Sequence, residues 1–233
     1  MSLTLGTGPF GSTSAGSFNF DRPDDTVEYL ERSPRWIRGR LGGETVVDSR
    51  DVRMLHETNK LPVWLFPEED VRLDLLPEEA FERRHGLIQI DFQALDEWLE
   101  EDEPQPGHPR DPYHRIDIRD TSRRVTVRIG GDVVAETERA VVLFETGLPP
   151  RWYVPREDVR TELEPSDHRT FCPYKGRASH FTVAGEDAVA WSYPEPLREV
   201  GPIKDRIAFY DERVDVEIDG ERQERPETQW SRR

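Results

Sequence analysis

Short runs of apolar residues alternate with polar positions along most of the chain. Val125, Val127 and Ile129 are separated by single polar residues, and the two glycines after them precede a returning apolar pair. A period of two predicts a strand with one buried face, and a two-glycine turn predicts a hairpin. The same composition recurs in later segments: AVVLFET, RWYVP, SHFTV, AVAWSY, IAFY and RVDVEI. The chain is therefore predicted to be all-β, with short antiparallel strands joined by turns.

The chain contains two copies of one segment. At an offset of 88 residues, Arg40–Leu76 falls on Arg128–Glu164 without a gap. The run EDVR occurs in both copies, and the prolines at 67 and 155 before it favour the start of a short helical turn. Identical pairs include Gly42 and Gly130, Gly43 and Gly131, Glu57 and Glu145, Pro62 and Pro150, and Trp64 and Trp152. This similarity predicts a tandem repeat of one structural unit.

The two copies diverge after Leu76. The segments CPYKG and AWSYPEP occur only in copy two, and aligning LDEW (95–98) with VDVE (214–217) raises the offset to 119. Copy one is therefore about 31 residues shorter, and we expect it to lack three or four strands. Its core is then open, or copy two or a second chain completes it. A homo-oligomer would cover the sheet edges left behind.

These patterns divide the chain into five parts. Residues 1–25 are predicted to form a flexible N-terminal arm, because they are rich in Gly, Ser and Thr. A shortened first β unit covers 26–94, and an acidic, proline-rich linker covers 95–115. The complete second β unit covers 116–222, and a tail follows at 223–233. Each unit is predicted to be a small antiparallel roll or open barrel.

The amino-acid composition and net charge limit the classes of molecule that this protein is expected to bind. Hydrophobic and charged residues each make up 34% of the chain, and the net charge is −16. This charge argues against nucleic acids and anionic membranes as partners, because both require a concentrated positive surface. No apolar run approaches the length of a membrane span, and the first residues lack the basic and apolar regions of a secretory signal. We therefore expect a cytoplasmic protein.

The segment RTFCPYKGRASHF carries the chemistry that distinguishes copy two. Its cysteine, Cys172, is the only one in the chain, which excludes an intrachain disulfide and a multi-thiolate zinc site. A hairpin turning at Gly176 would bring Lys175 and His180 towards Cys172, and a thiolate beside a cation can act as a nucleophile. The preferred interpretation is that Cys172 packs as a small hydrophobic residue. Catalysis by Cys172, Lys175 and His180 is the alternative.

A ligand pocket in the second unit is the favoured hypothesis. Tyr174, Lys175, Gly176, Trp191 and Tyr193 are predicted to line a cavity for a small planar or anionic molecule. Trp152 is interpreted as a core residue, because Trp64 has the same place in the shortened copy. No cofactor and no metal are expected. A protein-interaction module without a ligand site is a further alternative.

Several motifs resemble those of an uncharacterised family, domain of unknown function 427, in its bacterial two-copy form. They include GPFGSTSAGSFNF, HETNKLPVWLFPEEDVRLDLL, ETGLPPRWYVPREDVR, CPYKGRASHF and AWSYPEPL. The resemblance implies a β-tent-like fold, similar to methionine sulfoxide reductase B and cereblon-type ligand-binding domains but without their zinc cysteines. It implies no settled activity.

One name given to this family suggests nucleotidyl transfer. Asp215 and Glu217 share one strand face, as paired metal-binding carboxylates would. A solvated acidic face explains them better, because copy one has Trp98 where copy two has Glu217 in the alignment above. We do not adopt this activity.

Overall fold

The computed structural model describes residues 3–21, 26–228 and 230–231. These residues belong to two compact units, residues 1–114 and 115–233. The all-β prediction is confirmed, because 46% of the residues are in strands and 9% are helical, and the strands form five antiparallel sheets. No helix in the described part of the chain has the length and apolar character needed to cross a bilayer.

The first unit contains two sheets, with strand orders β1-β4-β5-β7-β6 and β3-β2-β8-β9. Its strands are β1 (Glu28–Ser33), β2 (Ile37–Leu41), β3 (Glu44–Ser49), β4 (Val52–Glu57), β5 (Val63–Phe66), β6 (Phe81–Arg84), β7 (Leu87–Ile90), β8 (Glu97–Glu100) and β9 (Glu103–Pro104). Single 3₁₀ turns lie at Glu68–Asp70, Leu73–Leu75, Glu78–Ala80 and Phe92–Ala94.

The second unit contains three sheets, with strand orders β10-β13-β14, β12-β11-β19-β20 and β15-β16-β17-β18. Its strands are β10 (Ile116–Asp120), β11 (Val125–Ile129), β12 (Asp132–Thr137), β13 (Val141–Glu145), β14 (Arg151–Tyr153), β15 (Glu164–Cys172), β16 (Gly176–Val183), β17 (Glu186–Ser192), β18 (Ala208–Phe209), β19 (Asp215–Ile218) and β20 (Glu221–Arg222). Its 3₁₀ segments are Arg156–Asp158 and Arg198–Ile203.

The same local elements occur at repeat positions in both units. Gly42-Gly43 and Gly130-Gly131 form the hairpin turns β2–β3 and β11–β12, and all four have the positive φ that glycine adopts without strain. Both hairpins have a register shift at the same repeat position, after Gly39 in one and after Val127 in the other. The predicted helical turns after Pro67 and Pro155 are present as the 3₁₀ turns Glu68–Asp70 and Arg156–Asp158.

The sheet register corrects the predicted alignment of β8 with β19 by one residue. Trp98 lies opposite Gly39, and Val216 lies opposite Val127, the residue that matches Gly39 in the repeat. Trp98 therefore has the place of Val216, not that of Glu217. The physical reason is strand alternation, because a slip of one residue would turn the buried Trp98 to the outer face of the sheet.

In the part of the chain that the structure describes, the first unit has two strands fewer than the second, where a difference of three or four was expected. Its described residues contain no equivalent of the hairpin β15–β16, which carries CPYKG, or of the segment Arg198–Ile203. β7 pairs directly with β5, and Ile88 lies opposite Phe66. The unit has its own core cluster: Ile37, Val46, Val47, Val52, Met54, Trp64, Phe66, Val71, Leu76, Ala80, Ile88, Ile90, Leu95 and Trp98. This core is formed within the unit.

The predicted linker contains regular structure. Residues 95–115 include the strands β8 and β9. Trp98 and Leu99 are buried in β8, and Gln105 N, just after β9, donates a hydrogen bond to Trp98 O at 2.8 Å. In the tail, Gln223 N donates to Val216 O at 2.8 Å, the equivalent bond in the second unit.

The described part of the predicted arm, residues 3–21, forms turns that are hydrogen-bonded to the first unit. Asn59 N donates to Thr4 O at 2.8 Å, and Thr58 Oγ1 donates to Phe10 O at 3.0 Å. Residues 1–2 and 22–25 of the arm, and 229 and 232–233 of the tail, lie outside the described residues.

Candidate functional site

Lys175 and Gly176 lie at the β15–β16 turn of the second unit, and the lysine side chain is directed inward. Lys175 is 8% exposed, and its Nζ forms an ion pair with Glu145 at the end of β13. Gly176 has φ +100°, and a Cβ there would lie 3.2 Å from Glu195 O. The backbone therefore approaches this turn closely, and the lysine charge is already neutralised inside the unit. Tyr174 is half-buried beside it.

Trp191 and Tyr193 belong to the core beneath this turn. Their exposed fractions are 8% and 5%, and they pack in one cluster with Tyr153. Trp191 Nε1 donates to Tyr153 Oη at 3.3 Å, and burial raises the pKa of the Tyr153 hydroxyl above its usual value. A ligand contacting these rings would have to displace protein atoms that now pack against them.

The β15–β16 register separates His180 from Cys172, two of the three candidate catalytic residues. Gly176 lies opposite Cys172, whereas His180 lies four residues further along the strand, roughly 13 Å at the usual rise per residue. His180 Nε2 lies 3.0 Å from Thr170 Oγ1, and the His180 ring lies 4.4 Å from that of His168. Cys172 is half-buried. The hairpin therefore does not bring the imidazole of His180 opposite the thiol.

A ring-lined cavity of about 440 Å³ lies in the first unit. Strands β5, β6 and β7, the Phe92–Ala94 turn and the segment after β9 contribute to it. Its lining includes the aromatic residues Trp64, Phe66, Phe81, Phe92 and Trp98. The volume falls in the range typical of small-molecule sites.

The wall formed by Trp98 is rigid. Trp98 stacks between Phe66, at 6.0 Å between ring centroids and 12° between planes, and Phe92, at 5.4 Å and 16°. Its Nε1 also donates to Phe92 O at 2.9 Å. Gly39 leaves the space for this indole, because a Cβ there would lie only 3.1 Å from Trp98 Cζ3 and closer still to Val47 and Leu95.

Trp64, one of the lining residues, has an unpaired hydrogen-bond donor. The residue is 2% exposed, and its Nε1 has no hydrogen-bond partner among the described residues. Leaving a buried N–H unpaired costs about 1–3 kcal/mol, so such groups are rare in folded proteins. Because Trp64 Nε1 has almost no solvent-exposed surface, neighbouring atoms must shift before a ligand atom can accept this hydrogen bond, and the bond would then recover this free energy.

The rim of the cavity is acidic. Glu79, Glu82 and Asp91 are exposed lining residues, and Asp91 Oδ1 accepts a hydrogen bond from Gln93 N at 3.0 Å. His108 Nδ1 donates to Pro109 O at 2.7 Å, and burial lowers the pKa of this imidazole, which favours its neutral form at pH 7. No lysine or arginine is found among the residues described as lining this cavity.

The second unit has a cavity of about 290 Å³ at the corresponding place. Pro150 and Trp152 have the repeat positions of Pro62 and Trp64, and all four residues line their own cavity. When the sheets are aligned through Ile88 and Ile207, Asp211 has the place of Phe92. Burial raises the pKa of Asp211 to about 7, although Arg151 Nη1 lies 3.5 Å from its carboxylate. The two cavities therefore differ in chemistry.

The sequence pattern predicts no site in the first unit. It matches Trp64 with Trp152 as core positions and aligns Trp98 with Glu217. The usable signal was the combination of Phe92 and Trp98, two large rings without aromatic counterparts in the second copy. The glycine at 39, where copy two has valine, marks the space that one of these rings fills.

Comparison with known proteins identifies the family. The profile described as "Domain of unknown function (DUF427)" matches residues 29–85 and 117–220, which together are more than half of the chain. The comparison with curated proteins gave no match. The two matched segments lie in the two compact units, one in each. The chain therefore belongs to the DUF427 family.

Proposed function

We propose that this protein binds a small organic molecule in the ring-lined cavity of its first unit. The observation that supports this function best is that Trp64, which lines a cavity of about 440 Å³, has a buried and unpaired N–H. Stacked aromatic walls provide apolar contact area, and a single donor fixes the orientation of the ligand. The stack of Phe66, Trp98 and Phe92 is formed without ligand, so little ordering is needed on binding.

A thermal-shift screen against metabolites and nucleotides tests the proposal. A ligand at 100 times its dissociation constant adds about 2.7 kcal/mol to the stability of the protein, which is a measurable shift in Tm. Hits are then measured by calorimetry on Trp64→Phe, which removes the donor, and on Trp152→Phe, the corresponding change in the second unit. We expect affinity to fall about tenfold in the first variant and to stay within twofold in the second.

Other outcomes of the screen oppose the proposal. Hits that depend on Trp152 and not on Trp64 would assign the ligand to the second unit. A screen without any hit would remove support for ligand binding and favour an interaction module.

The second candidate is the aromatic and lysine site predicted in the second unit. It is favoured by the Lys175–Glu145 ion pair, which is buried beside the half-exposed Tyr174 and Cys172. A buried pair of this kind is an expensive way to gain stability, and an anionic ligand could replace Glu145 as the partner of Lys175. Trp191 and Tyr193 would then have to move out of their core cluster.

Lys175→Met and Cys172→Ser separate the two versions of this second candidate. A binding site that uses Lys175 predicts loss of an anionic hit in Lys175→Met, with affinity in Cys172→Ser unchanged within a few fold. A cysteine-dependent enzyme predicts that Cys172→Ser abolishes turnover of any hit that the protein converts.

A further inference from the structure

The charged residues that line the cavity of the first unit are all acidic. Glu79 and Glu82 are exposed on its rim, and neither has an ion-pair partner among the described residues. This is unusual here, because many acids of the same unit are paired with arginine, as Glu68 is with Arg83 at 2.6 Å and Glu97 with Arg40 at 3.2 Å. Asp91 adds a third carboxylate.

We propose that the ligand of this cavity is an organic cation that also carries a hydrogen-bond acceptor. This inference rests on the proposed function, because it names the class of molecule bound at the same site. The aromatic rings attract the cationic group, the unpaired rim carboxylates attract it before and after binding, and the Trp64 N–H donates to the acceptor.

Each part of this recognition follows from a known interaction. A cation over an aromatic face gains more when it is desolvated, and quaternary ammonium groups are recognised by cages of such rings. Carboxylates at an open rim act mainly on the rate of encounter and lose influence as salt screens them. An anionic ligand would enter a site with three carboxylates and without a described lysine or arginine in its lining.

One cation, Arg83, lies beside a lining ring. Its guanidinium carbon lies 6.0 Å from the centroid of Phe81, at the outer limit of a cation–π contact, and its Nη2 is paired with Glu68. The Phe81 ring is therefore already near one positive charge. A ligand cation is expected to lie closer to Phe92 and Trp64 than to Phe81.

A matched pair of probes tests the charge. Acetylcholine has a quaternary ammonium and an ester carbonyl, and 3,3-dimethylbutyl acetate has the same shape with carbon in place of the charged nitrogen. We expect calorimetry to give at least tenfold tighter binding for acetylcholine at low salt. The ratio of the affinities for acetylcholine and the neutral ester should fall to about threefold or less in the double variant Glu79→Gln/Glu82→Gln. The control Glu44→Gln/Glu69→Gln removes two exposed acids that do not line the cavity and should keep the full ratio.

A second comparison tests the acceptor. Trp64→Phe should weaken acetylcholine several-fold and leave tetramethylammonium, which has no acceptor, unchanged. Equal weakening of both ions would overturn the role of the Trp64 N–H.

The outcomes separate this inference from the proposed function. If the neutral ester binds as tightly as acetylcholine in a Trp64-dependent way, the cavity is a binding site and the cation inference is wrong. If neither probe binds, the cation inference is also wrong, and the metabolite screen decides separately whether the cavity binds another class of molecule. If the control double variant reduces the ratio as much as Glu79→Gln/Glu82→Gln does, the preference comes from the net charge of the protein and the inference fails.

Discussion

Replacing each of two neighbouring tryptophans with phenylalanine tests whether the Trp64 N–H is really unpaired. Trp64 and Trp98 are 2% and 4% exposed, and their ring centroids lie 5.5 Å apart. They differ in one respect, because Trp98 Nε1 donates to Phe92 O and Trp64 Nε1 has no partner among the described residues. The same substitution at both positions therefore isolates the value of one hydrogen bond.

The magnitudes follow from the two environments. Trimming an indole to a phenyl ring costs about 1–2 kcal/mol in packing at either position. At Trp98 the lost hydrogen bond and the unpaired Phe92 carbonyl add about 1–3 kcal/mol. At Trp64 the substitution removes an unpaired donor, which returns about 1–3 kcal/mol. We expect Trp98→Phe to lower the free energy of unfolding by about 2–4 kcal/mol and Trp64→Phe to change it by less than about 1 kcal/mol.

Urea unfolding followed by far-ultraviolet circular dichroism measures both changes. The dependence of free energy on urea should be the same in the two variants, so that differences in midpoint report stability alone. The purified protein must be free of bound small molecules, which mass spectrometry under native conditions establishes. If Trp64→Phe destabilises the ligand-free protein as much as Trp98→Phe does, the Trp64 N–H is hydrogen-bonded, and the argument that it awaits a ligand acceptor is refuted.

Three further predictions concern stability. Hydrogen bonds from Arg84 and, to a smaller extent, Lys60 lower the pKa of Glu57 to about 2. Glu57→Gln should therefore lower the free energy of unfolding by about 2–3 kcal/mol at pH 7. The urea midpoints of the variant and the parent protein should converge as the pH falls from 4.5 through 2. Burial raises the pKa of Asp211 to about 7, so the parent protein loses stability as this carboxyl group ionises in the unfolded state between pH 4 and 7. Over that range the free energy of unfolding of Asp211→Asn should rise by about 2–4 kcal/mol relative to the parent. Parallel plots of stability against pH for the two proteins would contradict this prediction. Gly39→Ala should lower the melting temperature, because overpacking at this position destabilises the protein by about 2 kcal/mol. An unchanged melting temperature would show that the neighbouring side chains and strands move to accommodate the methyl group.

The sequence predicts the elements of this fold because their causes are local. Alternation with period two, paired glycines and prolines before acidic runs each act over a few residues. The hairpin at Gly130-Gly131 and the turn after Pro155 are therefore found where they were predicted. The family was also identified from motifs, since it depends on residue identity and not on packing.

The side-chain contacts within the candidate sites could not be predicted in the same way. Whether Lys175 projects into solvent or forms a buried pair depends on Glu145, 30 residues away in the chain. Which residue lies opposite Cys172 depends on the register of one hairpin, and the place of Trp98 depends on one extra residue before β8. These outcomes are set by tertiary contacts, for which a single sequence gives no direct measure.

The two units have a glutamate at the same repeat position, but its ion-pair partner differs between them. Glu57 and Glu145 have the same repeat position, but Glu57 pairs with Arg84 on β6 and Glu145 pairs with Lys175 on the inserted hairpin. The acid therefore occurs at equivalent positions of the two units, while its cation comes from non-equivalent segments. This argues that the carboxylate at the end of β4 and β13 belongs to the scaffold and that the Lys175 pair need not indicate a catalytic role.

One exchange between facing strands contributes to the difference between the two cavities. On β2 and β8 a glycine faces a tryptophan, whereas on β11 and β19 Val127 faces Val216. A valine at 39 would collide with Val47 and Leu95, because even a bare Cβ there lies 2.8 Å from Val47 Cγ1. A Cβ at 39 would also lie 3.1 Å from Trp98 Cζ3, so the glycine gives room to the ring on β8. Val216 is not aromatic and cannot form the stack that lines the first cavity. Similar strand arrangements can thus hold an aromatic cavity in one unit and a smaller cavity with a half-buried acid in the other, so the chemistry of each cavity is set by a few side chains and not by the strands themselves.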